Sequence, residues 1–148
     1  MKNRNLEHWF TDKQERLLVW REWRNELKEL PLDDVYQEVA TWWKFVPLVT
    51  KTFDPWRSDT WPDPWTLVGT GSFCPNAQGL GIFYSLVLAE LKCELILAMV
   101  EQQPKLMVLL PNNQVLNYYD GETVDADLAM VEVLQKWAPS DLANLVKV

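Results

Sequence analysis

Cys74 stands immediately before Pro75 in the phrase FCPNAQGLGIFYSLVLAEL, residues 73 to 91. Proline is at home in a first helical turn, where its missing N–H would have no partner in any case, so the phrase places Cys74 at or beside the N-cap of a helix. A thiol there meets the positive end of the backbone dipole, which favours the thiolate and suits the position to a nucleophile. Thiol catalysis then needs a base within hydrogen-bond reach, normally a histidine, itself oriented by a carboxylate or amide. The chain has one histidine, His8, far from this phrase in the N-terminal arm, where a surface or capping role is expected. The plainer reading of Cys74 is a small buried residue. Cys93 follows the helix at about 28 Å of helical rise, too far for a disulfide. Two cysteines are too few for a zinc site, and GTGS at 69 to 72 lacks the lysine and spacing of a phosphate loop. No metal or cofactor is expected.

The helix behind Cys74 is apolar on nearly every side, broken by Gln78, Ser85 and Glu90, so it belongs in the middle of a domain. Gly79 and Gly81 weaken a helix by about 1 kcal/mol each relative to alanine, which points to something packed closely against its first turns. Before it, residues 9 to 30 carry a 3.6-residue apolar period through Leu17, Trp20, Trp23 and Leu27, with Thr11 and Glu15 near its start. Residues 32 to 45 repeat the pattern through Val35, Tyr36, Val39, Trp42 and Trp43, with Asp33 or Asp34 as cap. Together these predict a helical hairpin. Residues 47 to 71 hold DPWRSDTWPDPW, which its prolines keep from forming a long regular element; an ordered loop is expected, with a helical turn near 66 to 68. Beyond the helix, residues 93 to 101, 105 to 110 and 115 to 119 read as three antiparallel strands, and 125 to 137 as a C-terminal amphipathic helix.

The predicted fold class is α+β: an N-terminal helical hairpin, a central buried helix packed on a small antiparallel sheet, and a C-terminal helix. At 148 residues this is one domain, divided as a helical arm (1 to 46), a Pro/Trp loop (47 to 71) and an α+β core (72 to 148). The net charge of -7 is uneven. Residues 61 to 148 hold four basic against ten acidic side chains, which argues against a nucleic-acid groove. The longest apolar run is cut by Glu90, Lys92 and Glu94, short of a membrane span, and the charged N-terminus MKNRNLEHWF has no apolar signal core. A reducing cytoplasm is the expected setting. Nine tryptophans are many for this length and point to broad contact surfaces beside a core.

The order of elements resembles the core of transglutaminase-like and papain-like cysteine enzymes: a cysteine-led buried helix, a strand, a second strand that would begin with the histidine, and a third ending in aspartate. The resemblance covers residues 70 to 121. It implies Cys74 at the nucleophile position, Asp120 as the orienting acid, and Lys105 or Leu106 where the histidine would stand. A lysine serves as base only when burial depresses its pKa, and the polar turn QQPK at 102 to 105 does not signal burial. On this reading catalysis has been lost and Cys74 and Asp120 are vestigial. A looser resemblance, carried by WPDPWTLV and the following FC, is to small proteins of tailed bacteriophages, including those of cyanobacteria. It implies a virion part of the neck, tail or baseplate.

The functional expectation is therefore a non-catalytic assembly subunit, present in the host cytoplasm and then the virion, oligomeric within a particle and bound to other protein subunits. Trp56, Trp61, Trp65, Trp42 and Trp43 are the candidate partner-binding residues. The alternatives are a cysteine hydrolase or acyltransferase using Cys74, and a small regulatory or inhibitor protein. Fast native alkylation of Cys74 separates the enzyme from the others, and a soluble one-to-one complex separates the inhibitor from the particle.

Overall fold

The structure, a computed structural model, describes residues 6–49, 53–129 and 132–146. After a short 3-10 turn at Leu6–Phe10, helix α1 runs Lys13–Leu27. Its cap is Asp12, whose carboxylate accepts the Glu15 N–H at 2.9 Å. Helix α2 (Leu32–Lys44) starts after Pro31, so Asp33 and Asp34 lie in its first turn, where they favour the dipole and do not cap. The two form the expected hairpin, with the Trp23 and Trp42 rings stacked at 4.3 Å and the Trp23 indole N–H donating to Glu38 at 2.9 Å. The Pro/Trp loop contains a full helix, α3 (Pro64–Thr70), started by Pro64 behind an Asp63 cap and stopped by Gly71 at φ 73°. Helix α4 (Pro75–Leu88) follows, with Cys74 as its N-cap.

Five antiparallel strands follow, where the sequence predicts three. They are β1 (Glu94–Val100), β2 (Gln103–Leu109), β3 (Gln114–Leu116), β4 (Thr123–Asp125) and β5 (Glu132–Trp137), in the order β4-β3-β2-β1-β5. The C-terminal helix shrinks to α5 (Ala126–Ala129), and residues 132 to 137 of its expected length form the edge strand β5 on β1. The i, i+3 spacing of Leu128, Val131, Leu134 and Trp137 reads as helical. Yet only Trp137 is buried in β5, and backbone pairing from Met99↔Glu132 to Leu95↔Trp137 decides the segment. Strand pleating sends Leu95, Leu97, Leu106 and Val108 into the main core against α4; Ile96, Ala98, Met107 and Val115 form a smaller cluster on the other face.

Both helix glycines mark close approaches. A β-carbon on Gly79 would sit 2.2 Å from the Leu106 carbonyl oxygen of β2, and one on Gly81 would sit 2.3 Å from the Trp43 ring of α2. Ser85 explains itself one turn further on. Its hydroxyl accepts the indole N–H of Trp20 at 3.1 Å and of Trp43 at 3.0 Å, and donates to the Gly81 carbonyl at 2.8 Å. One buried hydroxyl thus joins α1, α2 and α4. Arg16, also buried, donates to the carbonyls of Val68 (2.8 Å) and Gly69 (2.6 Å), tying α1 to the last turn of α3.

Seven of the nine tryptophans are buried, which corrects the expectation of broad aromatic contact surface. Trp42, Trp43 and Trp61 are core residues, at 5%, 0% and 4% exposure, so they have almost no surface to offer a partner. Trp61 packs on Trp137 at 5.0 Å and anchors the Pro/Trp loop. Trp56 and Trp65 remain exposed, at 53% and 38%.

Candidate active site

Cys74 sits at the tip of α4 in extended backbone, φ -110° and ψ 172°, and is 1% exposed. The chain is led to this point by a parallel bridge between Leu48 and Phe73: the Phe73 N–H donates to Pro47 and the Val49 N–H to Phe73, at 3.0 and 2.7 Å. The tip is then fastened to β2 by two asparagines. The Asn76 side-chain oxygen accepts the Leu106 N–H at 2.9 Å, while the Asn117 amide donates to the Leu106 carbonyl at 2.8 Å and to the Pro75 carbonyl at 2.9 Å. Asn117 takes φ 75°, a left-handed conformation that asparagine tolerates better than most residues. Both backbone groups of Leu106 that face away from β1 are satisfied by side chains, and Gly79 leaves the space for it.

This clasp brings the residue before Leu106 to the cavity that Cys74 borders. Cys74 and Lys105 line one open cavity of about 500 Å³ together with Asn76, the Asp54–Trp56 turn, and Val100, Glu101, Gln103 and Pro104 of the β1–β2 hairpin. Lys105 is half-buried and donates to the Tyr118 carbonyl at 3.3 Å. Burial lowers its pKa, against the carboxylates of Asp120 and Glu101, which raise it. The expectation that QQPK leaves this lysine solvated is thereby corrected. Glu101, Gln102 and Gln103 in the turn are exposed, but Lys105 itself is half-buried.

Asp120 does not line this cavity. It borders a separate crevice with Lys44, Gln78 and Asn117, and reaches Lys105 through its field. His8 is neither a surface nor a capping residue: it is buried, its ring stacked on Trp42 at 4.1 Å, and it takes no part in the cavity around Cys74. Cys93 is a buried core thiol with its pKa pushed up to about 12, first by burial and then by Glu94. Neither cysteine is in a disulfide. The asparagines of the clasp are what sequence reasoning missed. Their only signal is an Asn one residue after the helix-opening proline and a second after the third strand.

A cysteine-led helix clasped to the second strand of an antiparallel sheet is the core of a transglutaminase-like fold, and the chain has that fold. Two solved structures share it: LapG from Legionella pneumophila, a transglutaminase-like cysteine protease, and the same protein after EGTA treatment. The first superposes with a TM-score of 0.71 at 14% identity over 90% of this chain and 83% of LapG; the second with 0.70 at 14% over 87% and 75%. No family model matches the sequence, and no curated protein does.

These matches overturn the expectation of a non-catalytic particle subunit. The fold is shared with LapG over 90% of this chain, and nothing in the comparisons points to a phage particle. The expectation of lost catalysis rests on the missing histidine at 105 or 106 and on a solvated Lys105; the fold shared with LapG overturns it, and Lys105 itself is half-buried with its pKa lowered.

Proposed function

We propose that this protein is a thiol hydrolase or acyltransferase in which Cys74 is the nucleophile and Lys105 the base. The observation that carries the reading is that Cys74 and Lys105 border one cavity at the tip of α4, with the lysine's pKa lowered by burial. A neutral Lys105 amine takes the proton of the Cys74 thiol, and the sulfur adds to the carbonyl carbon of an amide or ester. The leading N–H groups of a helix have no partners within it, and with Pro75 lacking one, those of Asn76 and Ala77 are the donors α4 offers to an oxyanion. As the tetrahedral intermediate collapses, the Lys105 ammonium returns its proton to the leaving amine or alcohol, leaving a thioester on Cys74. Water or an acceptor amine then attacks the thioester, loses its proton to Lys105, and the thiol is reprotonated. Tyr118 positions the lysine through its carbonyl.

The test uses p-nitrophenyl acetate for turnover and iodoacetamide with mass spectrometry for the thiol. Cys74→Ser and Lys105→Met are each expected to abolish turnover, and Lys105→Met to slow native alkylation of Cys74. A Cys74 that reacts only after denaturation would overturn the reading.

A further inference from the structure

The cavity around Cys74 has a wall that the chemistry above does not use. Trp56 is 53% exposed in a core otherwise rich in buried indoles, and it lines this cavity. Its loop is braced to hold it there. The Asp54 side chain accepts the Trp56 N–H at 2.9 Å, and the Asp54 carbonyl accepts both the Arg57 N–H at 3.2 Å and the indole N–H of buried Trp61 at 2.9 Å. The β1–β2 turn also borders the cavity, with Glu101 and Gln102 both in left-handed backbone, φ 50° and 68°, as a type I′ hairpin turn requires. Glu101 and Asp54 both line it. Lys105 is the cation among the described lining residues, while Arg57 pairs outward with Asp59 at 3.2 Å.

We infer that this cleft selects substrates that carry a cationic side chain, lysine- or arginine-like, next to the acyl group, with the Trp56 ring as its seat and Glu101 and Asp54 supplying the field. An indole face attracts a cation through its quadrupole, and two carboxylates across a concave site focus a negative potential into it. Lys105, whose pKa burial lowers, is the one lining cation among the described residues set against that potential. A braced aromatic wall lets a ligand bind without ordering the loop, which spares affinity. The inference rests on Cys74 being an accessible nucleophile.

The experiment labels Cys74 with two methanethiosulfonates of similar size, one bearing a trimethylammonium group and one a sulfonate, in a Cys93→Ala background. Rates are read by intact mass and normalised to each reagent's rate with 2-mercaptoethanol. A cationic preference of about tenfold is expected. Trp56→Ala reduces that preference by about threefold, and Trp56→Leu, which keeps apolar bulk but removes the π face, does the same. Glu101→Gln lowers it by about threefold through the lost charge. Equal normalised rates, or full preference retained in Trp56→Leu, would overturn the selectivity while leaving the thiol chemistry standing. A Cys74 inert to both reagents in the folded protein, yet labelled in urea, would instead remove the nucleophile itself.

Discussion

Ser85→Ala isolates the polar joint inside the core. The substitution removes one oxygen and leaves the indole N–H groups of Trp20 and Trp43, now 3.1 and 3.0 Å from their acceptor, buried without one. Each orphaned donor costs about 1–3 kcal/mol, so the pair should cost about 2–6 kcal/mol. The Gly81 carbonyl loses the serine's 2.8 Å bond but sits in a helix, so its loss adds little. Against a total stability of about 5–15 kcal/mol this is a large fraction. For a chain of this length it corresponds to a fall in Tm of at least about 5 °C. Urea titration followed by tryptophan fluorescence should show a lower midpoint at unchanged slope. In a Trp20→Phe background the cost of Ser85→Ala should shrink by about 1–3 kcal/mol, since one donor is already gone. Ser85 lies about 16 Å along α4 from Cys74, so thiol reactivity in the folded variant should be unchanged. A cost within about 0.5 kcal/mol would refute the idea that this hydroxyl is the acceptor both rings depend on.

Three further outcomes are expected. Gly79→Ala forces a β-carbon to within 2.2 Å of the Leu106 carbonyl, so β2 must back away from α4. The helix gains about 1 kcal/mol of propensity, but a shift of order 1 Å between Lys105 and Cys74 should lower kcat/KM for p-nitrophenyl acetate by about a hundredfold. The pH profile of turnover should rise with an inflection below the ordinary lysine value of 10.5, because the base is the neutral amine. Glu101→Gln should move that inflection lower, since the carboxylate it removes favours the ammonium, and an unmoved profile would exclude Lys105 as the base. Cys93, pushed up to about 12 in the fold, keeps its proton where the unfolded thiol, near 9.0, has lost it. Its contribution is intact below pH 9.0 and is lost as pH rises toward 12, at about 1 kcal/mol per pH unit, so Cys93→Ala should flatten that part of an alkaline stability curve.

The site was half legible. Pro75 after Cys74 marks the helix tip locally, and Gly79 and Gly81 announce close neighbours, though not which; the structure supplies β2 on one side and Trp43 on the other. The meander was readable where apolar runs are short and bounded by turns, as in β1 and β2. It was unreadable in β5, whose exposed side chains follow helical spacing while its backbone bonds to β1. The half-burial of Lys105 had no local signature, because the partner that holds its amine, the Tyr118 carbonyl, lies 13 residues away. Nor could the tryptophans be sorted by type: Trp56 and Trp61 share one loop, and only the brace on Asp54 turns one outward and the other in.

The asparagine clasp has a consequence for how such a centre can change. Asn76 and Asn117 grip the main chain of Leu106, not any side chain of β2, so the strand's register is independent of what residue 105 carries. That position can be rewritten, imidazole for amine or the reverse, without redesigning the scaffold that aims it. Chemistry and architecture are here separately inheritable, and Lys105→His is the single exchange that would put a ring where this chain keeps an amine.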